Sequence, residues 1–255
     1  MENPEELLRV EGVCKSFRKM MAIDQCSLRV SKGTITALIG PNGAGKTTLF
    51  NLISGFHKPD KGQVFLRGER IDGLRTDKIF HKGLIRTFQI SRELEKMTLL
   101  DNLMLVPAQQ EGEWIWNAWF RPWRVRNQEK EVRERALDTL NFVELYHLKD
   151  HYAGNISTGQ KRLLEIARTM MADPDIILLD EPGAGVNPTL MNKLIGYIRQ
   201  LNDQGKTFLV VEHNMELVMT LCNPVIVMNA GTILTQGEPE DVRNNEQVIN
   251  AYLGG

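Results

Sequence analysis

The stretch Gly40-Pro41-Asn42-Gly43-Ala44-Gly45-Lys46-Thr47 constrains this 255-residue chain more than any other. It fits the pattern GxxxxGK[ST], follows the β-branched, apolar run Thr34–Ile39, and precedes a helix-forming segment, Lys46–Ser54, that Gly55 stops. A strand, a glycine loop and a helix in that order form a phosphate cradle. The glycines let the backbone wrap closely enough for its N–H groups to point inward, and the helix adds its positive N-terminal end. The expected cradle is Asn42, Gly43, Ala44, Gly45, Lys46, Thr47 and Thr48. Lys46 would neutralise the β- and γ-phosphates of a nucleotide, and the Thr47 hydroxyl would bind Mg²⁺.

A second apolar run, Ile176–Leu179, ends in Asp180-Glu181. A buried strand delivers such side chains at its C-terminal edge, where α/β sheets bind ligands. Downstream of a phosphate loop, Asp180 fits a Mg²⁺-holding role and Glu181 that of a general base polarising the attacking water.

The rest of the chain alternates between strand and helix patterns. Strands are predicted at Leu7–Val13, Cys26–Val30, Thr34–Ile39 and Gln63–Leu66, and again at Ile176–Asp180, Thr207–Val211, Val225–Met228 and Thr232–Thr235. Helices are predicted near Leu190–Asn202 and Met215–Leu221, with one or two more over Glu240–Leu253. From about Thr76 to Arg168, Leu, Met, Glu and Arg dominate and strand signals are sparse; helices are read at Asn127–Leu145 and Ser157–Met171. The alternation implies a mainly parallel sheet covered on both faces, with a helical block inserted between two parts of it.

Composition narrows the class. With 31 basic and 32 acidic residues the net charge is −1, which excludes a general electrostatic grip on nucleic acid. The three cysteines, Cys14, Cys26 and Cys222, form no CxxC pair and read as reduced thiols of a cytoplasmic protein. No apolar stretch reaches the roughly 18 residues that cross a bilayer, and the acidic start MENPEELLRVEG is unlike a signal peptide. Work at a membrane would need spans from other subunits.

The segment Ile156-Ser157-Thr158-Gly159-Gln160 resembles the signature motif of ABC ATPases, commonly LSGGQ. Other residues fall in that family's order. Phe17 resembles the aromatic that stacks on adenine, often Tyr. Gln89, in Arg86-Thr87-Phe88-Gln89, resembles the Q-loop glutamine that touches Mg²⁺ and the water. Ala184-Gly185-Val186-Asn187-Pro188 occupies the D-loop position, and His213 resembles the switch histidine at the γ-phosphate. The other histidines, His57, His81, His147 and His151, read as ordinary surface residues. Two positions depart from the pattern: Thr158 replaces a glycine, and Asn187 replaces the usual D-loop acid.

This resemblance runs from about Leu7 to Gly237. It implies an α/β fold with a P-loop NTPase core, a mainly parallel sheet, an antiparallel β subdomain and an inserted α-helical subdomain. The core would take residues 1–88 and 173–237, the helical part 89–172 and C-terminal helices 238–255. It implies that Glu181, His213, Gln89 and Lys46 are catalytic and that Thr47, Gln89 and Asp180 hold Mg²⁺. Ser157, Gly159 and Gln160 would close over the ATP of a second ATPase subunit, itself identical or a paralogue. The Ser157 cap and the helix that follows it also make an anion cradle, because the two share one backbone geometry.

One cassette without long coiled coils fits a subunit that docks on membrane proteins. Gly83–Leu105, the AGVNP sequence, the extension after Val106 and the terminal AYLGG are similar to the LivG-type ATPases of branched-chain amino-acid importers. Urea and amide importers, lipopolysaccharide exporters and a non-transport module acting on nucleic acid or protein are the alternatives. The resemblance implies two permease subunits, an indirect partnership with a periplasmic or extracellular substrate-binding protein, and a peripheral place on the cytoplasmic face of a prokaryotic inner membrane. The Trp114–Trp123 segment, with Arg121, Arg124 and Arg126, either caps the helical part or anchors at a membrane or partner.

Overall fold

The structure, a computed structural model, describes residues 5–87, 94–108, 119 and 122–253. These fall into two compact units, Met1–Gln89 with Asp175–Gly255, and Ile90–Pro174.

The strands of the first unit are β1 (Glu6–Phe17), β2 (Met20–Ser31), β3 (Ile35–Ile39), β4 (Lys61–Leu66), β5 (Glu69–Arg70), β6 (Leu84–Arg86), β7 (Ile176–Asp180), β8 (Thr207–Val211), β9 (Val225–Asn229) and β10 (Thr232–Gly237). They form two sheets, an antiparallel one ordered β2-β1-β4-β5 and a larger one ordered β10-β9-β3-β8-β7-β6. In the larger sheet β10 is antiparallel to β9 and every other pairing is parallel. β3, β7 and β8 are buried along their whole length, which is why they read as unbroken apolar runs rather than alternating ones.

Helix α1 (Lys46–Ile53) joins the two sheets into one core. Its Leu49, Phe50, Leu52 and Ile53 share an apolar cluster with Val10, Leu28 and Val64 of one sheet and Leu38, Leu178, Leu209 and Ile226 of the other.

Parallel pairing sends the chain out of one sheet edge repeatedly. The register pairs Leu38 with Val211 and Asp180 with Val211, so the loops after β3, β7 and β8 leave side by side. That adjacency assembles the site.

Two expectations change. Strand β6 lies inside the region where strand signals are sparse. Three residues are too few to show a period, and β6 exists because Leu84, Ile85 and Arg86 pair with Ile176, Ile177 and Leu178. A short helix α2 (Thr76–His81) precedes it. The C-terminal stretch, read as one or two helices, forms two, Pro239–Arg243 and Glu246–Leu253.

In the second unit, α3 (Leu99–Met104), α4 (Pro122–Phe142) and α5 (Thr158–Ala172) pack on one another and bury Leu99, Leu103, Ala136, Leu140, Leu164 and Ala167. Of the tryptophan-rich segment, Trp119 and Trp123 are among the described residues. Both are exposed, at 80% and 60%, and Arg124 lies over the Trp123 ring at 5.3 Å. These two rings therefore do not serve as a buried cap on the helices.

All three cysteines are free and buried. Burial pushes the thiols of Cys26 and Cys222 up to about 12, with Glu212 adding to the rise at Cys222. At pH 8 these two thiols are protonated and enclosed, so a thiol reagent should titrate them only after unfolding, a result that a stopped-flow Ellman assay checks. A raised folded value also makes their stability contribution complete below the ordinary thiol range and progressively lost as pH climbs toward 12.

Candidate nucleotide site

At Gly40 and Gly45 the glycine loop is shaped by contacts that leave no room for a side chain. A Cβ on Gly40 would lie 2.0 Å from the Met228 carbonyl oxygen. Gly45 caps α1 in the left-handed region (φ 103°), and a Cβ there would meet the Ala22 carbonyl oxygen at 2.8 Å. The loop is tied to the β9–β10 hairpin, since Gly231 N donates to Ala44 O at 2.9 Å. The hydroxyl of Tyr252, in the last helix, bonds the Gly40 backbone; burial raises the phenol and this bond partly opposes the rise.

Lys46 is buried, and its Nζ donates to Gly40 O at 2.7 Å and Pro41 O at 2.9 Å. Burial pushes the ammonium below the ordinary lysine range, while the Glu181 and Asp180 carboxylates work against the fall. The ammonium thus sits inside the loop's own curl, where it would meet phosphate oxygens. Asn42, Gly43 and Thr47 are exposed and Thr48 is half-buried, so the outer loop and the Thr47 hydroxyl are accessible. A glycine-walled loop around a buried cation, with a hydroxyl and a carboxylate nearby, has the donor set for a nucleotide phosphate and Mg²⁺.

Asp180 ends β7 and is buried, with its carboxylate accepting from Arg86 at 2.7 Å. Glu181 follows in the left-handed region (φ 49°), unusual for a residue with a side chain. Its Oε1 lies 2.8 Å from His213 Nε2. The two sequence-predicted residues from different loops are therefore in contact, and both remain partly open to solvent.

Glu212 is the residue that sequence reasoning missed. It is buried, and Oε1 accepts from Gly183 N at 2.7 Å while Oε2 accepts from His213 N at 2.9 Å and Asn214 N at 3.2 Å. One carboxylate thereby fixes the turn after Glu181 against the turn that carries His213. An acid closing an apolar strand is the available signal, the same one that marked Asp180.

Phe17 ends β1 at a hairpin and is 38% exposed. Its partner Met20 starts β2, which runs past Gly45 at Ala22. His57 meets the ring nearly edge-on at 5.3 Å, and the Lys15 ammonium lies over it at 5.8 Å. His57 is therefore not an isolated surface histidine but part of this aromatic pair.

In the other unit, Ser157 caps α5 in a full capping box. Gln160 N donates to the Ser157 hydroxyl at 3.3 Å and Ser157 N to the Gln160 side chain at 2.9 Å. Thr158 opens the helix, so its β-branch meets no unusual backbone requirement, and Gly159 follows it. Gln89 lies outside the described residues.

Asn187 supplies the helix cap of α6 (Pro188–Asp203), accepting from Leu190 N at 2.9 Å, with Pro188 at the first helical position. Asn187→Ala should cost about 1 kcal/mol and lower the melting temperature by about 2–4 °C. Asn187→Asp keeps the cap and should melt with the parent in calorimetry.

The ABC transporter family profile matches residues 23–184, and a second, described as branched-chain amino acid ATP-binding cassette transporter, matches residues 232–255. The chain belongs to the ABC transporter ATPase family. It is 40% identical over 249 residues to the probable branched-chain amino acid transport ATP-binding protein LivG of Archaeoglobus fulgidus, covering 98% of this chain and 96% of that one. It is 39% identical over 251 residues to the high-affinity LivG of Escherichia coli K12, covering 98% of each. A crystal structure of a nucleotide-free ATP-binding cassette from an ABC transporter superposes with a TM-score of 0.84 at 37% identity, over 98% of this chain and all of that one. A crystal structure of the ADP conformation of an ATP-binding cassette of an ABC transporter gives 0.83 at 36% identity, over 98% of this chain and 99% of that one.

Proposed function

We propose that the chain is the ATP-hydrolysing subunit of an importer of branched-chain amino acids, working on separate permease subunits at the cytoplasmic face of a prokaryotic membrane. The observation that carries the cargo is the near full-length likeness to LivG proteins together with the match over residues 232–255. Among the described residues no helix is long and apolar enough to cross a membrane, so the path for the cargo belongs to other chains.

The chemistry follows from the site. Backbone N–H groups of residues 42–48 and the start of α1 hold the phosphates, with Lys46 turning from the loop carbonyls to the β- and γ-oxygens. Phe17 stacks the adenine. Thr47 and Asp180, with Gln89, would hold Mg²⁺, which would supply neutralisation of the phosphate charge. Glu181 takes the proton of the attacking water, and His213, already at hydrogen-bond distance from Glu181, steadies that carboxylate and the γ-phosphate. Ser157, Gly159 and Gln160 close over the ATP of a partner ATPase subunit, and Thr158 is tolerated there with a modest loss of affinity. The residues divide as 1–88 with 173–237 for the core, 89–172 for the helical part and 238–255 for the terminal helices.

The test is reconstitution. Tagged chain drawn from detergent-solubilised membranes should bring polytopic proteins with it. Proteoliposomes of that complex, with a substrate-binding protein added on the opposite side, should accumulate labelled leucine, isoleucine or valine only with ATP. Uptake of a different solute class refutes the cargo. ATPase stimulation by DNA or RNA, with no membrane partner, refutes transport.

A further inference from the structure

Arg86 closes β6, and its guanidinium donates to Asp180 Oδ2 at 2.7 Å. A second nitrogen donates to Asn51 Oδ1 on α1 at 2.5 Å and lies 3.5 Å from Oγ of Ser54, the C-cap of that helix. Both side chains of the ion pair are buried, at 7% and 6% exposure. The Phe50 and Phe56 rings flank the guanidinium at 5.7 and 5.8 Å. The pair is in place because β6 joins the sheet beside β7, with Arg86 opposite Leu178, two residues before Asp180.

Burying two charges is costly, and an apolar pair of similar volume would hold the sheet as well. The charge count indicates what the pair does. Lys46 and Arg86 face three carboxylates at this edge, those of Asp180, Glu181 and the buried Glu212. Without Arg86 the edge would be more negative still and open to a divalent cation. A competing charge can open the pair.

We propose that Arg86 is an electrostatic gate on Asp180. It occupies the carboxylate that Mg²⁺ uses, so the site refuses a bare divalent cation and accepts one together with the negative charge of nucleotide phosphates. Arg86 is thus a positioning residue acting through Asp180, and the inference rests on Asp180 being the cation-side carboxylate.

The probe is Mn²⁺, followed by electron paramagnetic resonance on the whole chain, with and without ADP. Nucleotide-free parent should bind Mn²⁺ weakly. Arg86→Met should bind it about tenfold tighter or more, because a unit charge within a few ångströms of the cation is removed. Arg86→Lys, which keeps the charge, should behave as the parent, and adding Asp180→Asn to Arg86→Met should abolish the gain. A purely structural role for Arg86 predicts the opposite sign, a loosened and weaker site. Unchanged affinity in a folded Arg86→Met chain, or a gain that Asp180→Asn leaves in place, overturns the gate. So does micromolar Mn²⁺ binding by the nucleotide-free parent that Asp180→Asn abolishes, a result that needs no Arg86 variant to fold. With ADP present, the parent should bind Mn²⁺ tightly and Asp180→Asn should weaken it. If it does not, Asp180 is not the cation-side group and the gate falls with it; if it does while Arg86→Met changes nothing, the gate alone is refuted.

Discussion

Glu181→Gln should lower the maximal rate of ATP hydrolysis by about 10²–10⁴-fold, the usual worth of a positioned general base, while ATP still binds. The amide keeps the length and shape of the carboxylate, so the left-handed turn at residue 181 and the contact with His213 both survive the change. What is lost is the ability to take a proton from water. With binding intact and hydrolysis blocked, ATP should hold two ATPase subunits together, and size-exclusion chromatography with ATP should show a dimer that the parent forms only transiently. Phosphate release within about threefold of the parent would remove Glu181 from the role of base. The companion change His213→Ala tests the contact from the other side, since it leaves the carboxylate but removes the group that steadies it.

How far the chain could be read without coordinates depended on the range of each interaction. The phosphate loop was legible because its glycines and Lys46 are set by local geometry, and eight consecutive residues carry the whole constraint. The buried strands β3, β7 and β8 were legible because parallel strands covered on both faces need unbroken apolar runs. Strand β6 was not, because three residues owe their conformation to a partner about ninety positions away. The same holds for side chains. Asp180 and Glu181 announce themselves at a strand end, but nothing local says that Arg86 reaches Asp180 or that His57 packs on Phe17. Thr158 and Asn187 looked like departures from a pattern. In the folded chain Thr158 opens a capped helix and Asn187 is itself a cap, so both residues suit their local backbone.

Glu212 illustrates the same limit and carries the second large effect. Its carboxylate accepts three backbone N–H groups, one after Glu181 and two around His213. Glu212→Ala strips the acceptor from all three in a buried setting. Each lost bond to a charged acceptor is worth about 1.5–3 kcal/mol, and water can enter to replace some of them, so a net loss of about 3–5 kcal/mol is expected. For a chain of this size that lowers the melting temperature by about 6–20 °C. Catalysis should fall further than stability alone requires, because the two turns lose the tie that keeps Glu181 and His213 in register. Turnover measured well below the variant's melting temperature should drop about tenfold or more, as displacements of about an ångström at a reacting centre do. ATP affinity, set by the loop at residues 40–47, should change little. Glu212→Gln separates the contributions: it preserves one acceptor oxygen and turns an N–H₂ group toward the remaining amides, so it should fall between the parent and Glu212→Ala in both melting temperature and turnover. A Glu212→Ala chain that melts within about 2 °C of the parent and hydrolyses ATP at the parental rate would show that backbone and solvent hold these turns without the carboxylate.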